Sequence, residues 1–187
     1  MAGFNAIKKE IEGTLPRSPL KNELCHAKLV LKWLIKLSPG CGDAMKIAAF
    51  GHDIERAVTG ITEKGLDGFS GYEEFKREHA KRSAGILSQM MEKHGFSHEE
   101  ISRMANAVER HESGGNDDSN LLMEADSLAF MEYNIPFYLE RNGREKALHK
   151  IRFMYRRLSE KGKVIVSSMN FKNKETSGLF NEALGKS

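Results

Sequence analysis

Apolar residues recur at intervals of three and four along most of the chain, and that periodicity admits amphipathic helices and little else. Val164-Ile165-Val166 is the one β-like run, and three residues are too few to make a sheet. The spacing therefore predicts an all-α fold. A first helix is expected over residues 20–37, between the breaker Pro16-Arg17-Ser18-Pro19 and Pro39-Gly40. A second covers 42–56, and a third covers 72–93 with a glycine stop at His94-Gly95. Ser97 and Glu100 form a capping-box pattern that opens a fourth helix, carried through to His111. A fifth runs from about Ser119 to Tyr133, where Asn134-Ile135-Pro136 should break it. Beyond lie a short turn or helix at 136–141, a long helix at 144–161, and a weak helix or frayed tail from Asn173. Residues 59–71 and 112–120 are expected as loops, the first long enough to suit a functional role.

Six residues able to bind metal interrupt the apolar stripes: His26, His52, Asp53, His79, His111 and Asp126. His26 shares a stripe with Val30, Trp33 and Leu37, Asp53 follows Ala49 by four, and His111 ends the run Ile101, Met104, Val108. His79 lies among Phe75, Ile86 and Met90, and Asp126 among Leu122, Ala129 and Phe130. An imidazole or carboxylate buried among aliphatic side chains is costly unless it is paired or metal-bound. Six such interruptions in a chain with seven histidines point to one shared site, built from facing helices of a bundle. Imidazole with carboxylate suits iron, manganese, zinc or cobalt better than calcium or magnesium.

The remaining polar residues have plainer readings. His94 complements the negative end of its helix, His98 sits at the surface, and Asp117 and Asp118 belong to a loop or an N-cap. Lys146, His149, Lys150, Arg152, Arg156 and Arg157 form a basic helix face, either solvated or a rim that draws anions. Cys25 and Cys41 read as reduced thiols, Cys25 packed in its helix.

At 187 residues the chain is expected to be one domain, with a ligand-bearing core over about 20–133 and a helical extension over 136–187. The net charge of +3, from 29 basic and 26 acidic residues, argues against nucleic acid or a membrane as main partner. No apolar leader opens the sequence and no run is long enough to span a bilayer, so a cytoplasmic protein is expected. A homodimer through the later helices is compatible with the pattern.

The order H…HD…H…H…D resembles that of the HD-domain superfamily of metal-dependent phosphohydrolases, in its dinuclear form. "GHDIERA" over 51–57 resembles that family's HD-I-G-K/R turn, "RHESGG" over 110–115 is similar to its HHE segment, and "EADSLAF" over 124–130 looks like its closing Asp helix. The resemblance implies one metal on His26, His52, Asp53 and Asp126 and a second on Asp53, His79 and His111. It implies two divalent ions among iron, manganese, cobalt, nickel and zinc, with iron or manganese favoured, and a bridging hydroxide as nucleophile. Arg56 takes the place of the family's basic residue and would hold a substrate anion. The implied substrate is a small phosphorylated molecule, a nucleotide or related metabolite. Two departures narrow it: no GYP follows the RHES segment, and the paired Glu-Asp of the alarmone hydrolases is missing. A third, Glu55 in place of the usual glycine, should tighten the approach to the site. Two other readings share these ligands: a mixed-valence di-iron oxygenase, and a non-catalytic module that senses metal or nucleotide.

Overall fold

A computed structural model describes residues 3–62, 69–171 and 173–185, with residues 69 and 70 described by backbone alone. The fold is all-α, and no strand occurs among the described residues. The chain forms two compact units, Met1–Met123 and Glu124–Ser187.

The first unit contains α1 (Phe4–Thr14), a 3-10 turn (Leu15–Arg17), α2 (Glu23–Leu37), α3 (Asp43–Gly51), α4 (Glu55–Thr59), α5 (Phe69–Lys93), α6 (His98–Glu109) and the start of α7 (Asp117–Ala129). Its centre is α3, which packs against α1, α2, α5 and α6. The reason lies in its sequence: from Ala44 to Gly51 all but Lys46 are buried, and a helix apolar on every side has to lie inside. Gly51 leaves room for its neighbours on α5 and α1, since a Cβ there would stand 2.5 Å from Leu87 Cδ2 and 3.4 Å from Ile11 Cδ1. His52 and Asp53 follow directly, so the chain delivers them from the core outward.

The periodicity passed over α1. Its apolar signal is thin, with Ile7 and Ile11 fully buried among lysines and glutamates. Tertiary contacts hold it: the Phe4 ring meets Phe50 edge-on at 6.0 Å, and the Phe4 N–H donates to Asp43 Oδ2 at 2.9 Å. His94, just past the end of α5, also ties that end to α1, its Nε2 lying 2.8 Å from Glu10 Oε2.

The expected second helix divides into α3 and α4, with a turn at residues 52–54 between them. Of the loop expected at 59–71, residues 63–68 lie outside the described residues, and α5 already begins at Phe69. The capping box of α6 is formed in both directions by Ser97 and Glu100. At α7 the cap falls to Asn116, whose Oδ1 accepts from Ser119 N–H at 2.8 Å. Asp118 instead takes two bonds from Arg103, at 2.6 and 2.8 Å. Cys25 also departs from expectation, being helical but exposed, whereas Cys41 is buried.

The second unit contains the end of α7, a π-helical turn (Phe130–Asn134), α8 (Ile135–Asn142), α9 (Arg144–Arg156), α10 (Glu160–Ser167) and α11 (Lys174–Ala183), with α9 packed on α8 and α11. The break expected at Asn134-Ile135-Pro136 does not occur. Pro136 lies in the first turn of α8, where its missing N–H is tolerated, and the wide turn before it takes up the irregularity. The helix expected over 144–161 stops early because Ser159 caps a new one, its Oγ accepting from Gly162 N–H at 3.1 Å. Val164-Ile165-Val166 is helical within α10, with Val166 buried and Val164 exposed. Among the described residues no helix is long and apolar enough to cross a membrane.

Candidate metal centre

Four elements of the first unit bring donors together. His26 lies on the buried face of α2. His52 caps the C-terminal end of α3 and Asp53 follows it in the turn toward α4. His79 is on α5, and His111 lies just past α6, which ends at Glu109 and not at His111 as the periodicity implied. All four histidines are at most 6% exposed. The ring centroids of His26 and His52 are 5.5 Å apart, those of His52 and His111 5.1 Å, and those of His79 and His111 6.3 Å. Ligand atoms of His52, Asp53 and His111 all lie within 4.8 Å of one another, a grouping able to hold a metal ion.

The hydrogen bonds on the outer side of these rings fix which nitrogen faces the cluster. His52 Nδ1 is 3.2 Å from the Ala49 carbonyl, and His111 Nδ1 is 2.7 Å from the Val108 carbonyl. A carbonyl only accepts, so in both rings Nδ1 carries the proton and Nε2 keeps its lone pair for the centre. His79 Nδ1 lies 2.8 Å from Glu55 Oε2, while its Nε2 lies 2.8 Å from Asp53 Oδ1. Rings anchored through Nδ1, as in His52 and His111, are what a metal site asks of its histidines, while His79 has a carboxylate oxygen at each nitrogen.

Asp53 stands between two of them. Oδ1 faces His79, and Oδ2 is 3.6 Å from His52 Nε2 and in contact with Arg56 Nη1. Burial alone would raise the Asp53 pKa, but Arg56, His52 and His79 outweigh it and hold the carboxyl well below its usual range. Burial likewise works against charge on His79, yet the bonds to Asp53 and Glu55 push its pKa up. The donors are thus a charged carboxylate ringed by imidazoles, the chemistry that fits a transition-metal ion.

Arg56, expected to hold a substrate anion, is here close to two carboxylates, Asp53 and Glu23, with Glu23 Oε2 at 3.7 Å. Glu23 precedes His26 by one turn of α2, and burial drives its pKa up. Lys76 has the same offset from His79; it is buried, with Nζ 3.0 Å from Glu73 and 3.7 Å from Glu112. Glu55 does not narrow the approach as expected: it is fully buried, with its carboxylate on the Nδ1 side of His79.

Asp126 belongs to the second unit, where it is buried on α7 and its Oδ2 accepts from Arg157 Nη2 at 3.2 Å. Arg157 was expected on the basic helix face, but its side chain is only 7% exposed. It lies 3.3 Å from Met154 Sδ and over the Phe153 ring.

Fold and site together define an all-helical protein with a buried histidine–carboxylate cluster that can hold a metal ion. The chain belongs to the family described as "Domain of unknown function (DUF4202)", whose model matches residues 8–177. No curated protein and no solved structure matches the chain.

Proposed function

We propose that this protein is a metal-dependent phosphohydrolase of the HD-domain type, acting on a phosphate ester or anhydride of a small molecule such as a nucleotide. The observation that carries the reading is the placement of Asp53: its two oxygens face different histidines, His79 at 2.8 Å and His52 at 3.6 Å, as a carboxylate shared between two ions would. In this reading His26, His52 and Asp53 serve one ion, with Asp126 added from the sequence pattern. Asp53, His79 and His111 serve the other. When bound, such ions would supply a water acidic enough to attack at neutral pH and would offset charge on the phosphoryl group.

The chain's own residues do the rest. Ala49 and Val108 carbonyls keep His52 and His111 in the tautomer that faces inward. Arg56, in contact with Asp53, places a guanidinium where an anion brought to the cluster would meet it. The buried walls of α2, α3, α5 and α6 keep bulk water from the imidazoles.

Elemental analysis of protein purified without chelator tests the first half of this reading, with about two iron, manganese or cobalt ions per chain expected. Anaerobic phosphate release across a nucleotide and sugar-phosphate panel tests the second. A protein with full metal content that releases no phosphate but consumes dioxygen, with an EPR signal from a coupled Fe(II)/Fe(III) pair, would be an oxygenase. A metal-loaded protein inert in both assays that binds a nucleotide tightly would be a sensor.

A further inference from the structure

The three anchored histidines are not anchored alike. His52 and His111 donate to neutral backbone carbonyls, whereas His79 Nδ1 meets the carboxylate of Glu55 at 2.8 Å. That carboxylate is fully buried and has partners on its other oxygen: Arg82 Nε donates to Oε1 at 2.8 Å and Thr59 Oγ1 at 2.9 Å. Its backbone N–H is in turn bonded to Ser83 Oγ at 3.3 Å. A buried anion behind an imidazole orients the ring and makes its far nitrogen a stronger donor, which a carbonyl does less well.

We propose that Glu55 is a positioning residue that commits His79 Nε2 to the centre and tightens the hold on the ion that His79 serves. The relay runs Arg82–Glu55–His79–Asp53, across α4 and α5 and back to the turn after α3, so the shared carboxylate is set from the side of His79. The relay reaches the other ion only through Asp53, so the effect should fall first on the ion that His79 serves.

The inference rests on the two-ion reading above, and a manganese titration of the full chain separates the two. Wild-type protein is expected to bind two ions with distinct affinities. Glu55→Gln keeps the size but sets amide hydrogens against Arg82 or His79, and should weaken one ion by about 10-fold. Glu55→Ala should weaken the same ion by up to about 100-fold and the other by much less. In the zinc-loaded protein, nitrogen–proton correlation spectra should show His79 as a single Nδ1–H tautomer, and as a mixture in Glu55→Gln. That readout does not move if the residue merely supports the fold. Two ions bound with wild-type affinities in both variants, or both ions weakened equally, would overturn the proposal. A wild-type chain that takes up no second ion overturns the two-ion reading, and this inference with it.

Discussion

Asp53 is the residue on which the centre turns, because its oxygens reach toward His79 and His52 separately. Asp53→Ala is expected to abolish both ions, whereas His79→Ala or His111→Ala should leave about one ion per chain; elemental analysis of each variant decides. If His79→Ala and His111→Ala each retain a full pair, the second position has been assigned to the wrong side chains. Arg56→Ala removes the guanidinium that would meet the substrate anion, so metal content should hold while KM rises or kcat falls. At this scale the histidines and Asp53 were legible from sequence because each breaks an apolar stripe, a signal that depends on periodicity alone. Glu55, Glu23 and Arg157 were not, because a buried charge is recognisable only by the partner that compensates it. Those partners are His79, Arg56 and Asp126, 24, 33 and 31 residues distant.

Among the elements, α3 sets where the centre lies, and two of its residues give measurable consequences. Gly51 lets α1 and α5 close on the helix end from which His52 and Asp53 emerge. Gly51→Ala should cost about 1–3 kcal/mol in denaturant unfolding, since Leu87 is itself fully buried and has little room to yield. At the other end of α3, Phe4 N–H and Lys46 stabilise the charged form of Asp43 and lower its pKa. A depressed folded pKa adds stability that is fully present above the unfolded value, about 3.9, and is lost as pH falls through the folded value. Asp43→Ala should therefore cost about 1 kcal/mol at neutral pH, with the gap narrowing below about pH 4. A gap that stays constant from neutral to acid pH would mean that the carboxylate charge plays no part. Element type was readable wherever helical spacing was sustained, and the Ser97 box marked the start of α6 correctly. It failed where packing outweighs local preference: at α1, held by two isoleucines and Asp43, and at α10, where Ser159 nucleates a helix through a β-branched run.

For the whole molecule, the all-α class followed from a single periodicity, but its division at 123/124 did not. The boundary falls inside α7, where no proline, glycine or polar linker marks it. Chelation followed by thermal melting reads the centre at this scale. If the cluster holds ions in the folded state alone, free manganese at about 100 times its Kd should add about 2.7 kcal/mol of stability. Unchanged melting on chelation of a metal-loaded sample would show that the ions contribute nothing to folding.

The contrast between the two thiols has a practical outcome. Cys41 is buried and burial drives its pKa up, which leaves it slow toward alkylating reagents, while Cys25 opens to solvent on α2, one residue from His26. A maleimide dye should therefore label the native chain once, at Cys25, and a fluorophore fixed there would report optically on metal entering and leaving the neighbouring imidazole.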